Sequence, residues 1–274
     1  MKLLKPDNPE ILSVVIMKDN KIIAQTQQTE LLYSQHSIMK SLVALVIGKL
    51  LENQKLTLET TVGQVLHTGN VPISDISLGK LLSMQSGMQE KLLFADRNTC
   101  ADYLKACCEM PLENKQEFLY SNACAYLAGR MAEEQTGISL QDQMINNIFK
   151  PLHIINYDFE YDTEGHVFGA SGLKLKTEDL AKIGQGILEH KICSLQWQKN
   201  FSSTHAISNE GKPYGYFFWI LENGFYMSGK WGQRCFIFPE YHAVIAINSN
   251  MQKQDSVNYY MTCELLPLLG VSHE

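Results

Sequence analysis

The apolar positions of this chain change period twice. Ile11–Met17 reads ILSVVIM, a β-branched run, and Ile22–Thr26 is a second short apolar run. Between them Lys18, Asp19, Asn20 and Lys21 make a polar turn, so the spacing predicts a β-hairpin. From Ser37 the period becomes helical, with Ile38, Leu42, Leu45, Val46 and Leu50 on one face and Gly48 as a mild weak point inside it. Further helices are predicted over Ser77–Met84, Thr99–Cys108, Ala123–Gln135, Leu140–Ile148 and Thr177–Glu189. The last of these has Thr177 as its cap and Glu178 and Asp179 in its first turn.

After Pro213 the strand pattern returns. Tyr214–Leu221 is rich in aromatics, and Gly224–Gly229, Arg234–Phe238 and Ala243–Asn248 follow, split by Asn-Gly and Pro-Glu turns. Gln252–Leu269 reads as a closing helix. Strand signals at both ends with helices between them predict an α/β (α+β) fold. One antiparallel sheet is built from both chain ends with flanking helices, and a mainly helical region is inserted. The expected division is 1–36 with 200–274 as the sheet part and 37–199 as the helical part, forming one functional unit with its site in the groove between them.

Composition narrows the function classes. The chain has 274 residues, of which 45% are hydrophobic and 19% charged, enough for a full core and unlike a disordered chain. Net charge is -6 with no Lys/Arg stripe, which argues against nucleic acid as a partner. The seven cysteines show neither a CxxC pair nor zinc spacing, so the expectation is reduced thiols, no metal and no cofactor. Lys5, Pro6, Asp7 and Glu10 interrupt any secretory signal at the start, and the apolar stretch Ser41–Leu51 carries Lys49 and is too short to span a bilayer. The expected location is the cytoplasm, without membrane contact, and the expected partner is a small-molecule substrate.

Three short signals carry candidate chemistry: SIMK at Ser37 to Lys40, YSN at Tyr120 to Asn122, and KWG at Lys230 to Gly232. Ser-x-x-Lys recurs at Ser77 and Lys80 and at Ser171 and Lys174, and Lys-x-Gly recurs at Lys182 and Gly184; Tyr-x-Asn occurs once. Ser37 and Lys40 stand three apart at a helix start and share a face. A serine hydroxyl is a weak nucleophile until a base takes its proton. A lysine amine serves only when neutral, a state that burial and a second nearby cation both promote. A helix N-terminus also favours developing negative charge. Taken alone, such a pair is most simply a capping serine and a surface lysine, which is how Ser77 reads.

The order of longer blocks goes further. SIMKSLVALVIGKLLENQKLTLETTVGQVL, ISLGKLLSMQSGM, the stretch from EFLYSNACAYLAGRM to FKPLHI, FGASGLKLKTEDLAKIGQGIL and MSGKWGQRCFIFPEYHAVIAINSN follow one another. In that order they resemble the class C β-lactamase-like branch of the serine β-lactamase and penicillin-binding-protein superfamily, over nearly the whole chain. The resemblance implies Ser37 as the acylated nucleophile and Lys40 as general base or its proton partner. It implies Tyr120 as the proton relay to the leaving group and Asn122 as an amide contacting Lys40 and substrate. Lys230 would be the cation on a groove-lining strand, and the N–H groups of Ser37 and Gln233 the oxyanion hole. Trp231, Gly232 and Gln233 would join Asn122 and Lys230 in binding substrate.

The third signal departs from that family, whose usual sequence there is Lys-Thr-Gly. The Trp231 indole donates through one N–H and cannot replace the Thr hydroxyl. This favours an ester, amide or peptide-type substrate over a β-lactam. His36, where the family usually has a small residue, reads first as a packing or surface residue and second as a proton donor near the pocket. The region before Ser37 is also abbreviated, which predicts a more open groove or one covered by a partner subunit. The leading expectation is a serine hydrolase acting through an acyl-enzyme. The alternatives are a penicillin-binding DD-peptidase or weak β-lactamase, and a non-catalytic binding protein that retains the fold.

Overall fold

The structure is a computed structural model that describes residues 1–27, 30–69, 71–89, 99–113 and 117–270. Its strands are β1 (Lys2–Leu3), β2 (Ile11–Lys18), β3 (Lys21–Gln25), β4 (Tyr33–Ser34), β5 (Asp158–Phe159), β6 (Leu173–Leu175), β7 (Ala206–Ile207), β8 (Pro213–Tyr214), β9 (Trp219–Leu221), β10 (Gly224–Gly229), β11 (Gln233–Phe238) and β12 (Ala243–Ser249). The helices are α1 (Ile38–Glu52), α2 (Val62–Leu66), α3 (Leu78–Leu82), α4 (Tyr103–Cys108), α5 (Asn122–Thr136), α6 (Leu140–Met144), α7 (Thr177–Leu188), α8 (Leu195–Phe201) and α9 (Gln254–Tyr260).

Nine strands form one sheet in the order β1-β3-β2-β12-β11-β10-β9-β8-β7, drawn from both ends of the chain as the strand pattern predicts. Every pairing is antiparallel except β1 on β3. The β2–β3 hairpin turns on Asp19 and Asn20, both with positive φ (48° and 62°), the backbone that a two-residue hairpin loop needs. Strands β11 and β12 are buried along their whole length because both faces are covered. On one face Val15, Met17, Cys235, Ile237, Val244 and Ala246 join the main core with α1 and α7. On the other, Val14, Ile16, Phe236, Ile245 and Ile247 pack against Val257, Met261, Leu265 and Leu269 of the C-terminal segment. The alternation of faces along each strand is what lets one sheet serve two cores.

Helix α1 runs through the centre of the main core, with twelve of its fifteen residues buried. Two of the buried residues are polar, Lys40 and Ser41, and each is paired, as buried polar groups must be. Ser41 Oγ donates to Phe217 O at 2.6 Å.

Several local expectations shift. Ser77 caps α3, accepting from Lys80 N, which disposes of that Ser-x-x-Lys pair. Thr177 is the first residue of α7 rather than its cap, and its hydroxyl accepts from Asn248 Nδ2 at 2.8 Å. Tyr214–Leu221 is broken into β8 and β9 by a bend with Phe217 at φ 59°. The helix expected from Thr99 starts at Tyr103, capped by Asp102. The closing helix passes from α9 into a π turn over Met261–Leu265 and a 3-10 turn over Leu266–Leu269. The short strands β4, β5 and β6 form a second, three-stranded sheet that the hydrophobic pattern did not predict. At two or three residues each, they are too short to show a period. Among the described residues, no helix is long and apolar enough to cross a membrane.

Candidate active site

The chain reaches Ser37 through a sharp turn. Gln35 is fully buried; its N–H donates to Leu173 O at 2.8 Å, and its side-chain amide donates to Tyr33 O at 2.8 Å and to Asn248 Oδ1 at 3.1 Å. His36 then takes a left-handed backbone (φ 49°), a conformation that costs roughly 1 kcal/mol or more outside glycine. Ser37 occupies the N-cap position of α1, yet its side chain makes no capping hydrogen bond. Its Oγ instead accepts from Lys40 Nζ at 3.0 Å. That contact separates Ser37 from the ordinary capping serine seen at Ser77.

Lys40 is 1% exposed. Its ammonium-end nitrogen meets Ser37 Oγ, Asn122 Oδ1 and Ala170 O, the last at 2.9 Å, and stands 5.0 Å from the centre of the Tyr120 ring. Asn122 is the first residue of α5, and its amide oxygen turns to Lys40. The structure therefore brings four of the predicted residues, Ser37, Lys40, Tyr120 and Asn122, into one cluster, held by α1, α5 and the loop before β6. Ala170, which supplies only a carbonyl, carries no side-chain signal in the sequence.

The third signal is placed differently from expectation. Lys230, Trp231 and Gly232 do not lie on a strand; they form the turn of the β10–β11 hairpin, whose closing pair is Gly229 and Gln233. Trp231 sits at φ 61°, ψ 25°, and Gly232 at φ 82°. The indole meets the His36 ring edge-on at a centroid distance of 5.1 Å, and Lys230 Nζ lies 4.8 Å from the indole centre. Ser249 Oγ donates to Trp231 O at 2.7 Å. The Gln233 side chain turns away to bond both the N–H and the C=O of Ser249, each at 2.9 Å. Trp231 and His36 thus dock the hairpin tip beside the nucleophile turn. The His36 ring packs edge-on against the indole.

The docking is close. A Cβ on Gly229 would come 2.3 Å from Gln35 O. Gly229→Ala is therefore expected to push the hairpin off the Ser37 turn. Any turnover at this site should fall at least about tenfold while the melting temperature drops by only a few degrees, since overpacking at one site costs about 1–3 kcal/mol. Paired melting curves and rate measurements check this.

Ser37, Tyr120 and Lys230 open on a common cleft of about 840 Å³. One wall is aromatic, formed by Phe118, Trp219 and Tyr226, with Trp219 and Tyr226 stacked at 6.4 Å. The polar β7–β8 loop also lines the cleft, through Ser208, Glu210 and Lys212. On β10, strand β9 covers only Gly224–Tyr226, so the outer edge of β10 at Met227 and Ser228 has no strand partner among the described residues. Sequence reading missed these walls because aromatic and loop residues carry no motif. It also missed Arg234, although one charge inside the apolar run RCFIF is a signal of its own.

The sequence profile of the β-lactamase family matches residues 12–260, a span that includes every residue of this site. The chain belongs to the β-lactamase family. Solved structures share the fold at low identity. A protein from Bacillus anthracis assigned as a 6-aminohexanoate-dimer hydrolase is 17% identical, with a TM-score of 0.83 over 95% of this chain and 80% of that one. An octameric penicillin-binding protein homologue from Pyrococcus abyssi is 21% identical, with a TM-score of 0.78 over 93% and 73%. A D-stereospecific amidohydrolase from a Streptomyces species is 18% identical, with a TM-score of 0.74 over 95% and 94%. No curated protein matches the sequence. Among the described residues, no group of three or more His, Cys, Asp or Glu side chains is placed to hold a metal ion.

Proposed function

We propose that this β-lactamase-family protein is a serine hydrolase that acts through an acyl-enzyme on a small ester, amide or peptide-type substrate. The observation that carries this reading is Lys40 Nζ held 3.0 Å from an uncapping Ser37 Oγ at the edge of a substrate-sized cleft. Ser37 Oγ attacks the substrate carbonyl carbon as its proton passes to the Lys40–Tyr120 pair. The carbonyl oxygen takes the negative charge, facing the N–H groups of Ser37 and Gln233. The bond to the leaving group then breaks, and Tyr120 relays the proton to it. Water attacks the acyl-enzyme in turn, and its proton returns to Ser37 Oγ as the acid leaves.

Asn122 holds Lys40 in place, and Lys230 supplies positive charge on the cleft wall. The aromatic wall suits an apolar acyl or leaving group, and the open edge of β10 suits a substrate amide. Trp231 brings no hydroxyl to the place of the family's threonine, which supports esters and amides over β-lactams. The cysteines are not joined in disulfides among the described residues, which is in keeping with a reducing, cytoplasmic setting.

The test is a fluorophosphonate label together with hydrolysis of p-nitrophenyl esters, D-amino-acid amides and nitrocefin. Wild type should be labelled and should turn over esters or amides faster than nitrocefin, and Ser37→Ala should do neither. Undiminished labelling of Ser37→Ala overturns the assignment. An acylation burst without turnover indicates a penicillin-binding type of protein instead, and inertness of the wild type to label and substrates indicates a binding protein.

A further inference from the structure

Arg234 stands outside every motif, yet it is 3% exposed and its guanidinium reaches the two ends of the turn that carries Lys230 and Trp231. Its Nη1 donates to Gly229 O and to Gln233 O, both at 2.9 Å, so one nitrogen ties the residue before the turn to the residue after it. Its Nε donates to Asn258 Oδ1 on α9 at 3.3 Å, and the guanidinium carbon stands 5.8 Å from the Tyr226 ring centre. The strand register pairs Arg234 with Ser228, while its neighbour Cys235 packs on the opposite face, against Leu180 O of α7. Arg234 therefore sits on the α9 side of the sheet, where it and Asn258 also line the cleft, and grips both ends of the turn.

That grip matters because the turn is not self-supporting. Trp231 and Gly232 both take left-handed backbones, and a tryptophan holds such a conformation only when its surroundings impose it. Ser249 fixes the middle of the turn through Trp231 O, and Arg234 fixes its two ends. A planar fork with fixed donor directions does this better than a flexible ammonium.

We propose that Arg234 is a positioning residue that locks the 230–232 turn, keeping the Gln233 N–H aimed at the oxyanion, and that it makes α9 part of this machinery through Asn258. The proposal rests on the acyl-enzyme reading above, and Ser37→Ala run in parallel separates the two: activity surviving in Ser37→Ala defeats that reading, whatever Arg234 does.

The experiment compares Arg234→Met, Arg234→Lys and Asn258→Ala on a p-nitrophenyl ester and its thionoester. The larger, softer sulfur makes the thionoester a poor user of an aligned oxyanion hole. In Arg234→Met, kcat for the ester should fall about tenfold or more with KM nearly unchanged, in line with the loss of a well-placed oxyanion donor. The ester-to-thionoester ratio should shrink with it. Arg234→Lys should recover part of the ratio, and Asn258→Ala should lower it by a smaller factor. A merely structural role would lower both substrates equally and leave the ratio unchanged, and that result overturns the proposal. If Arg234→Met fails to fold, the lysine and Asn258 variants decide by the same ratio, and wild-type ratios in both overturn it.

Discussion

Replacing Lys40 with methionine is expected to lower kcat/KM for any substrate of this protein by about 10⁴-fold or more, the scale seen when one member of a nucleophile–base unit is removed. Methionine matches the volume of the lysine stem and belongs in an apolar core, but it takes the nitrogen that stands 3.0 Å from Ser37 Oγ out of the site. It also leaves Asn122 Oδ1 and Ala170 O without this donor. Each lost partner costs about 1–3 kcal/mol, so the variant should melt lower yet remain folded. Lys40→Arg is the informative companion. Arginine keeps the charge and the donors but cannot give up its proton at accessible pH. If Lys40 accepts the serine proton, both variants are inactive. Arginine activity within about tenfold of wild type would show that the lysine serves only as a donor. Circular dichroism melts and steady-state rates on one ester settle the choice.

Gly48→Ala is expected to destabilise the fold by about 2–4 kcal/mol, the largest stability loss predicted for so small a change. Local reasoning points the other way, because alanine in a helix interior is favoured over glycine by about 1 kcal/mol. The tertiary contact wins. A Cβ at residue 48 would lie 2.1 Å from Trp197 Cδ1 and 2.2 Å from its Nε1. Trp197 cannot retreat easily: it is 4% exposed, donates Nε1–H to Ala44 O at 3.0 Å and stacks on Tyr216 at 5.8 Å. A thermal melt checks the sign directly, and a rise in melting temperature would contradict the packing argument. In a double-mutant cycle, Trp197→Leu should absorb much of the loss, since the two sites share one contact.

Gly48 shows where sequence reading stops. In the helical pattern of α1 it is a weak point, and only the seat of Trp197, about 150 positions away, makes it a requirement. The same holds for the third motif. Lys230, Trp231 and Gly232 were legible as a signal by their order in the chain. Their backbone was not, because a turn with a left-handed tryptophan runs against local preference and exists only where Ser249 and Arg234 hold it. Arg234 itself reads locally as a charge misplaced in an apolar strand, and its partners are supplied by a turn and a helix that flank it in space.

The sequence by itself determined the sheet drawn from both chain ends, the central helix after Ser37, the family, and the identity of the clustered residues Ser37, Lys40, Tyr120 and Asn122. Periodicity and motif order are written along the chain, so they survive without coordinates. The tertiary structure alone decided that Ser37 leaves its capping role for Lys40, that Ala170 closes the lysine site, that the third motif is a turn, and which walls line the cleft. Each of these depends on groups far apart in sequence meeting at hydrogen-bond or van der Waals distance, which no local pattern encodes.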